Sequence, residues 1–126
     1  MAIFGIGTDI IEIARIEKQL SKSDRLAKRI LTEAEFDIFS QHGSPARYLA
    51  KRFAAKEAAV KAIGIGIGNG IGWQQMAISN LESGQPIIKF SGGFADLCTE
   101  HGINSSFISI SDEQHYAVAT VILETR

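Results

Sequence analysis

The residues best suited to chemistry in this chain are charges set among apolar neighbours. Asp9 stands in an otherwise apolar stretch, on the alternating face that also carries Gly5 and Gly7. Lys56, Glu57 and Lys61 fall in a segment of helical periodicity whose apolar stripe runs through Leu49, Phe53, Val60 and Ile63. With Leu49 at 0° and about 100° per residue, Lys56 falls near −20°, inside the stripe. Glu57 falls at about 80°, on its edge beside Phe53, and Lys61 at about 120°, one turn beyond Glu57. Burying charge without a partner costs several kcal/mol, so such placements call for a reason. Two carboxylates, one from a strand and one from a helix packed on it, are a donor set that suits Mg²⁺. That ion takes hard oxygen ligands, usually one or two from protein carboxylates and the rest from water and substrate phosphates. Arg52, Lys56 and Lys61 would then neutralise those phosphates. The structural alternative is an i,i+4 pair between Glu57 and Lys61 worth about 0.3–0.5 kcal/mol, a Lys56 that snorkels to water, and an Asp9 that caps nearby backbone.

The elements that must position these residues can be read from periodicity and punctuation. Residues 2–12 alternate as a strand does. Residues 14–42 read as helix in at least two pieces, with Ser23-Asp24 as one cap and Thr32-Glu33-Ala34-Glu35 as a capping box. The clearest helix runs over 45–63, with Ser44 at the N-cap, Pro45 at the first helical position and Gly64 as its stop. Gly64 to Gly72 carries a glycine at every second position and reads as a loop that lets a ligand approach the backbone or simply as a flexible connection. Residues 76–82 and 86–90 suggest a hairpin, 92–101 a short helix ending at Gly102, and 106–111 with 116–123 two strands joined by Asp112-Glu113-Gln114-His115. The expected fold class is therefore α+β: a small antiparallel sheet packed around one long central helix, with further short helices, in a single domain over residues 1–126.

Composition narrows the function classes. At 45% apolar and 21% charged residues the chain has the balance of a soluble globular domain. No apolar run approaches the roughly 20 residues of a membrane span, and the first residues lack the basic start of a signal peptide. The single cysteine, Cys98, cannot form an internal disulfide or a Cys-cluster zinc site; together these point to the cytoplasm. His42, His101 and His115 lack metal-ligand spacing. The Gly-rich stretch lacks Gly-Lys-Ser/Thr and is no Walker A loop. Charge is unevenly spread: residues 15–61 hold eleven of the thirteen basic residues against six acids, on a chain of net charge −1. A basic middle on a near-neutral protein suggests an anionic partner, or a solvated helical face.

These pieces together resemble the holo-acyl-carrier-protein synthases of the 4′-phosphopantetheinyl transferase superfamily. The likeness rests on Gly7-Thr8-Asp9 with Arg15 six residues later, on Arg52-Phe53-Ala54-Ala55-Lys56-Glu57-Ala58-Ala59-Val60-Lys61-Ala62, and on Arg29-Ile30-Leu31-Thr32 followed by Glu35. It runs over essentially the whole chain. The resemblance implies magnesium-dependent transfer of phosphopantetheine from coenzyme A to a serine of an apo acyl carrier protein, in service of fatty acid biosynthesis, with adenosine 3′,5′-bisphosphate released. By the same resemblance Asp9 and Glu57 hold the metal and Glu57 helps deprotonate the serine. Lys61 steadies charge on the diphosphate. Arg52, Lys56, Gly64, Gly66 and Ser111 contact coenzyme A, and Arg15, Lys22 and Arg25 dock the carrier's acidic helix. It further implies a homotrimer with active sites between subunits, and no nucleic-acid or membrane partner. The sequence departs from the family in carrying Asp112 where many members have a histidine that serves the nucleotide phosphate, and Ile65 where many have Thr.

Two other functions remain compatible with the residues. One is a non-catalytic module whose basic helices bind an acidic protein or RNA, although no aromatic stacking pattern supports RNA. The other is a small magnesium-dependent phosphohydrolase.

Overall fold

The computed structural model describes Met1–Arg126. The chain runs β1 (Ala2–Glu12), α1 (Ile13–Lys22), α2 (Arg25–Ile30), α3 (Glu33–Gln41) and α4 (Pro45–Ile63), followed by a 3₁₀ turn (Trp73–Gln75). It continues through β2 (Met76–Asn80), β3 (Pro86–Phe90), α5 (Gly92–Glu100), β4 (Ile103–Asp112) and β5 (Tyr116–Thr125). The α+β expectation holds, with two sheets: an antiparallel sheet in the order β1-β5-β4 and a separate β2–β3 hairpin. No helix is long and apolar enough to cross a membrane.

The helix α4 is the shared wall of two cores. Its inner stripe of Ala54, Ala55, Ala58, Ala59 and Ala62 packs against Ala119, Val121 and Leu123 of β5. Small residues allow a close approach, and β1 carries it furthest. A Cβ on Gly7 would lie 1.9 Å from the Ala58 carbonyl oxygen, and one on Gly5 would lie 2.0 Å from that of Ala62. These two glycines therefore let β1 lie directly on the α4 backbone, two residues from Asp9. The N-terminal half of α4 forms the second core through Tyr48, Leu49 and Ala50, against Ile13, Ile16, Ala27, Ile30 and Leu31. Full burial of a side chain such as Leu49 or Ile30 contributes about 1.5–3 kcal/mol.

Local signals worked at most ends. Thr32 and Glu35 form the expected reciprocal capping box, Glu35 N donating to Thr32 Oγ1 (3.2 Å) and Thr32 N to Glu35 Oε1 (2.9 Å). Gly64 ends α4 in the left-handed conformation, φ 82°. Residues 14–42 form three helices, because the chain is extended again at Ser23 and Leu31. Ser44 takes the N-cap position of α4, yet its side chain does not cap; its amide donates to His42 Nδ1 (2.9 Å). The last two strands extend beyond the expected ranges at both outer ends.

One face of the three-stranded sheet has no cover. The register aligns Ile6, Ile122 and Phe107 in one row, Thr8, Thr120 and Ser109 in the next, and Ile10, Val118 and Ser111 in a third, all on the side away from α4. Ile6 is 63% exposed, Ile10 62% and Phe107 54%. The accessible surface, 7254 Å², correspondingly exceeds the roughly 6,600 Å² expected for a closed monomer of this mass.

Candidate active site

Asp9 projects from β1 on the α4 side of the sheet, and the glycine contacts bring that strand onto the helix turn that carries Glu57 and Lys61. Lys61 Nζ donates to Asp9 Oδ1 (2.9 Å) and to the Thr8 carbonyl (3.0 Å). The i,i+4 pair considered from sequence does not form, since Lys61 turns to the strand instead. Glu57 is half-buried and has no ion pair or hydrogen-bond partner on its side chain. Burial raises its carboxyl above the ordinary carboxylate range, the negative charge of Asp9 raises it further, and Lys61 offsets part of this. The two carboxylates are therefore close enough to feel each other's charge, and a single, half-exposed ammonium, Lys61, is bonded to Asp9. Hard oxygen donors, too few to form a closed cage and repelling one another until a cation arrives, fit Mg²⁺ completed by water and phosphate oxygens. No third His, Cys, Asp or Glu joins them to make a fuller metal cluster.

Lys56 corrects the sequence reading. It neither snorkels to water nor reaches a phosphate: its side chain is wholly buried, and Nζ donates to Glu35 Oε1 (2.6 Å) and to the Ile30 carbonyl (2.7 Å). The other oxygen of Glu35 accepts from the Ile78 amide (2.8 Å). The Glu35–Lys56 pair thus joins the end of α2, the start of α3, β2 and α4. Burial lowers the Lys56 ammonium from its ordinary value, and Glu35 offsets this in part. The capping box disclosed Glu35, but not that its carboxylate would also meet a buried lysine.

Arg52 is buried as well, on a face of α4 about 140° around from Glu57. It lines a cavity of about 360 Å³ with Arg47, Tyr48 and Lys51 of α4, and with Asn80 and Pro86 of the hairpin. Its Nη2 donates to Asn80 Oδ1 (3.0 Å), its guanidinium lies over the Tyr48 ring (4.8 Å), and its Nε has no partner. Sequence reasoning missed Arg47, Tyr48, Lys51 and Asn80. Arg47/Lys51 and Tyr48/Arg52 at i,i+4 spacing near the helix start were the available signal. Ser111 lies on β4, two strands from β1 and on the opposite face of the sheet from Asp9. Within one chain, neither Arg52 nor Ser111 joins Asp9, Glu57 and Lys61. Gly64 and Gly66 lie just beyond Lys61, exposed, with open space where a Cβ would go. Arg15, Lys22 and Arg25 are exposed and free of ion pairs. Arg15, Gln19 and Lys22 share one stripe of α1, and Gln19, Lys22, Arg25 and Arg29 line one groove.

Residues 5–121 match the family model of the 4′-phosphopantetheinyl transferase superfamily. The chain belongs to that superfamily. It is 68% identical over 125 residues to a holo-(acyl-carrier-protein) synthase of Pseudoalteromonas atlantica, covering 99% of each chain. The crystal structure of the holo-(acyl-carrier-protein) synthase of Neisseria meningitidis superposes with a TM-score of 0.90 at 40% identity, covering 98% of this chain and 99% of that one. The synthase of Bacillus anthracis, solved in complex with coenzyme A (3′,5′-ADP), superposes with a TM-score of 0.83 at 38% identity over the full length of both. The transferase fold thus accounts for the whole chain, with α4 at its centre.

Proposed function

We infer that this chain transfers 4′-phosphopantetheine from coenzyme A to a serine hydroxyl of an apo acyl carrier protein, releasing adenosine 3′,5′-bisphosphate. The observation that carries this reading is the meeting of Asp9 from β1 with Glu57 and Lys61 from α4. The serine oxygen forms a bond to the phosphorus that carries pantetheine. The bond from that phosphorus to the bridging oxygen breaks, and the nucleotide departs as a phosphate. Asp9 and Glu57 would hold a magnesium ion, which when bound would supply charge neutralisation to the diphosphate. Glu57 takes the serine proton, directly or through a water, and its raised affinity for protons suits it to that work. Lys61, half-exposed beside Asp9, meets the charge that develops on the departing diphosphate oxygen.

Coenzyme A has a second anionic group, the ribose 3′-phosphate, and the cavity lined by Arg52 and Tyr48 suits it. That cavity and the acid pair lie on different faces of α4, so one coenzyme A is gripped by two copies of the chain. The uncovered apolar face of β1, β5 and β4 supports a homotrimer that would bring the copies together. Light scattering that gave the mass of one copy at micromolar concentration would remove this part of the reading. The basic stripe of Arg15 and Lys22, with Arg25, docks the acidic carrier.

Intact-protein mass measurement tests the reaction. Apo carrier incubated with coenzyme A, Mg²⁺ and this chain should gain one phosphopantetheine, and a chelator should stop it. Inorganic phosphate released without any modified protein would instead mark a phosphohydrolase.

A further inference from the structure

The cavity at the start of α4 holds three cations that are not equally free. One carboxylate, Asp112 at the end of β4, accepts from Arg47 Nη1 (2.8 Å) and pairs with Lys51 Nζ (3.3 Å). Arg47 also donates to the carbonyls of Glu113 (2.6 Å) and Gln114 (3.3 Å), so its guanidinium is committed to the β4–β5 turn. The neighbouring strip of α4 is different. Arg52 (7% exposed) keeps a buried Nε with no partner, and Tyr48 (6% exposed) keeps a buried hydroxyl with none. A buried polar atom left without a partner is unfavourable, and both belong to residues that line the cavity. Unmet hydrogen-bonding capacity thus gathers on one side and neutralised charge on the other.

We propose that Asp112 is a specificity-determining residue: a fixed internal anion that withholds Arg47 and Lys51 from the ribose 3′-phosphate of coenzyme A and leaves that phosphate to Arg52 and Tyr48. The proposal rests on the reading that this cavity receives the 3′-phosphate. Asp112 stays ionised at working pH, because its hydrogen bond from Arg47 and its pairing with Lys51 hold its carboxyl below the ordinary range. A dianion brought towards Arg47 and Lys51 also feels the carboxylate with which both are already paired, and the repulsion weakens any added contact.

The test measures the affinity of the full-length chain for adenosine 3′,5′-bisphosphate and for adenosine 5′-phosphate by calorimetry, and compares their ratio, which reports the 3′-phosphate alone. In Asp112→Asn the preference for the bisphosphate should rise by about three- to tenfold, as expected for removing one like charge near a partly exposed site. Asp112→Ser, which keeps a neutral oxygen near Arg47, gives the same reading should the amide variant fold poorly. A ratio that stays level or falls in these variants overturns the proposal, a fall meaning that Asp112 prepares the cations for the phosphate and does not compete with it. Arg52→Gln separates the two layers. If it collapses the ratio while the Asp112 variants leave it level, the cavity reading stands and the Asp112 proposal fails. If Arg52→Gln leaves the ratio at the wild-type value, the cavity is not the 3′-phosphate site and both fall together.

Discussion

Gly7→Ala should disable the site without touching any residue that does chemistry. The added Cβ would meet the Ala58 carbonyl oxygen at 1.9 Å, the Ala62 amide nitrogen at 2.7 Å and the Ala58 carbonyl carbon at 2.9 Å. All three are backbone atoms of α4, so no side chain can swing away. Real Cβ contacts essentially never fall below 3.0 Å, so strand and helix must part by about an ångström. Overpacking of this kind costs about 1–3 kcal/mol, and backbone neighbours place it towards the upper part of that range. For a chain of this length, about 2–3 kcal/mol corresponds to a fall in Tm of roughly 8–12 °C. Asp9 lies two residues further on the same face, so the parting also draws it from Glu57. A misplacement of about 1 Å in a positioned site costs on the order of a hundredfold in rate. The assay is the initial rate of carrier mass gain at saturating coenzyme A and Mg²⁺, well below the variant's Tm so that unfolding does not contribute. Gly43→Ala is the control, because a Cβ there meets nothing within 4 Å. A Gly7→Ala protein with the wild-type rate and Tm would refute the argument that glycine contact with α4 positions Asp9.

Lys56→Met or Glu35→Gln each leaves one buried partner uncompensated and should cost about 3–5 kcal/mol, with the double variant recovering part of the loss; urea unfolding at fixed protein concentration measures it, and single losses under about 1 kcal/mol would contradict it. Glu57 binds its proton more tightly folded than unfolded, so stability falls as pH rises through the window from the unfolded value, about 4.3, to the raised folded value, and the cost persists at neutral pH. Glu57→Gln should therefore raise Tm at pH 7 while abolishing transfer, the gain vanishing below about pH 4; an unchanged or lower Tm at pH 7 would deny that burial and the Asp9 charge make the ionised Glu57 costly. Arg15→Glu and Arg25→Glu should raise the carrier KM more than the coenzyme A KM, and equal changes in both would remove their docking role.

How far the sequence spoke depended on how local each cause was. The capping box at Thr32, the Gly64 stop and the alternation of residues 2–12 are set by neighbours in the chain, and each was legible. Asp9, Glu57 and Lys61 stood out because each sits on or beside an apolar stripe. The wheel that isolated Lys56 gave its direction correctly but not its partner, which comes from a helix twenty-one residues away in sequence. The Arg47–Asp112 pairing spans sixty-five residues and was hidden for the same reason. Gly5 and Gly7 were visible as small residues beside Asp9, while the helix backbone they admit became evident only in three dimensions.

Asp9 and Glu57 should together hold one divalent cation. Titrating the full-length chain with Mn²⁺ in the presence of coenzyme A, followed by electron paramagnetic resonance, addresses it directly. One tight site is expected in the wild type, lost in Asp9→Asn and in Glu57→Gln alike. Wild-type Mn²⁺ binding in either variant would contradict it.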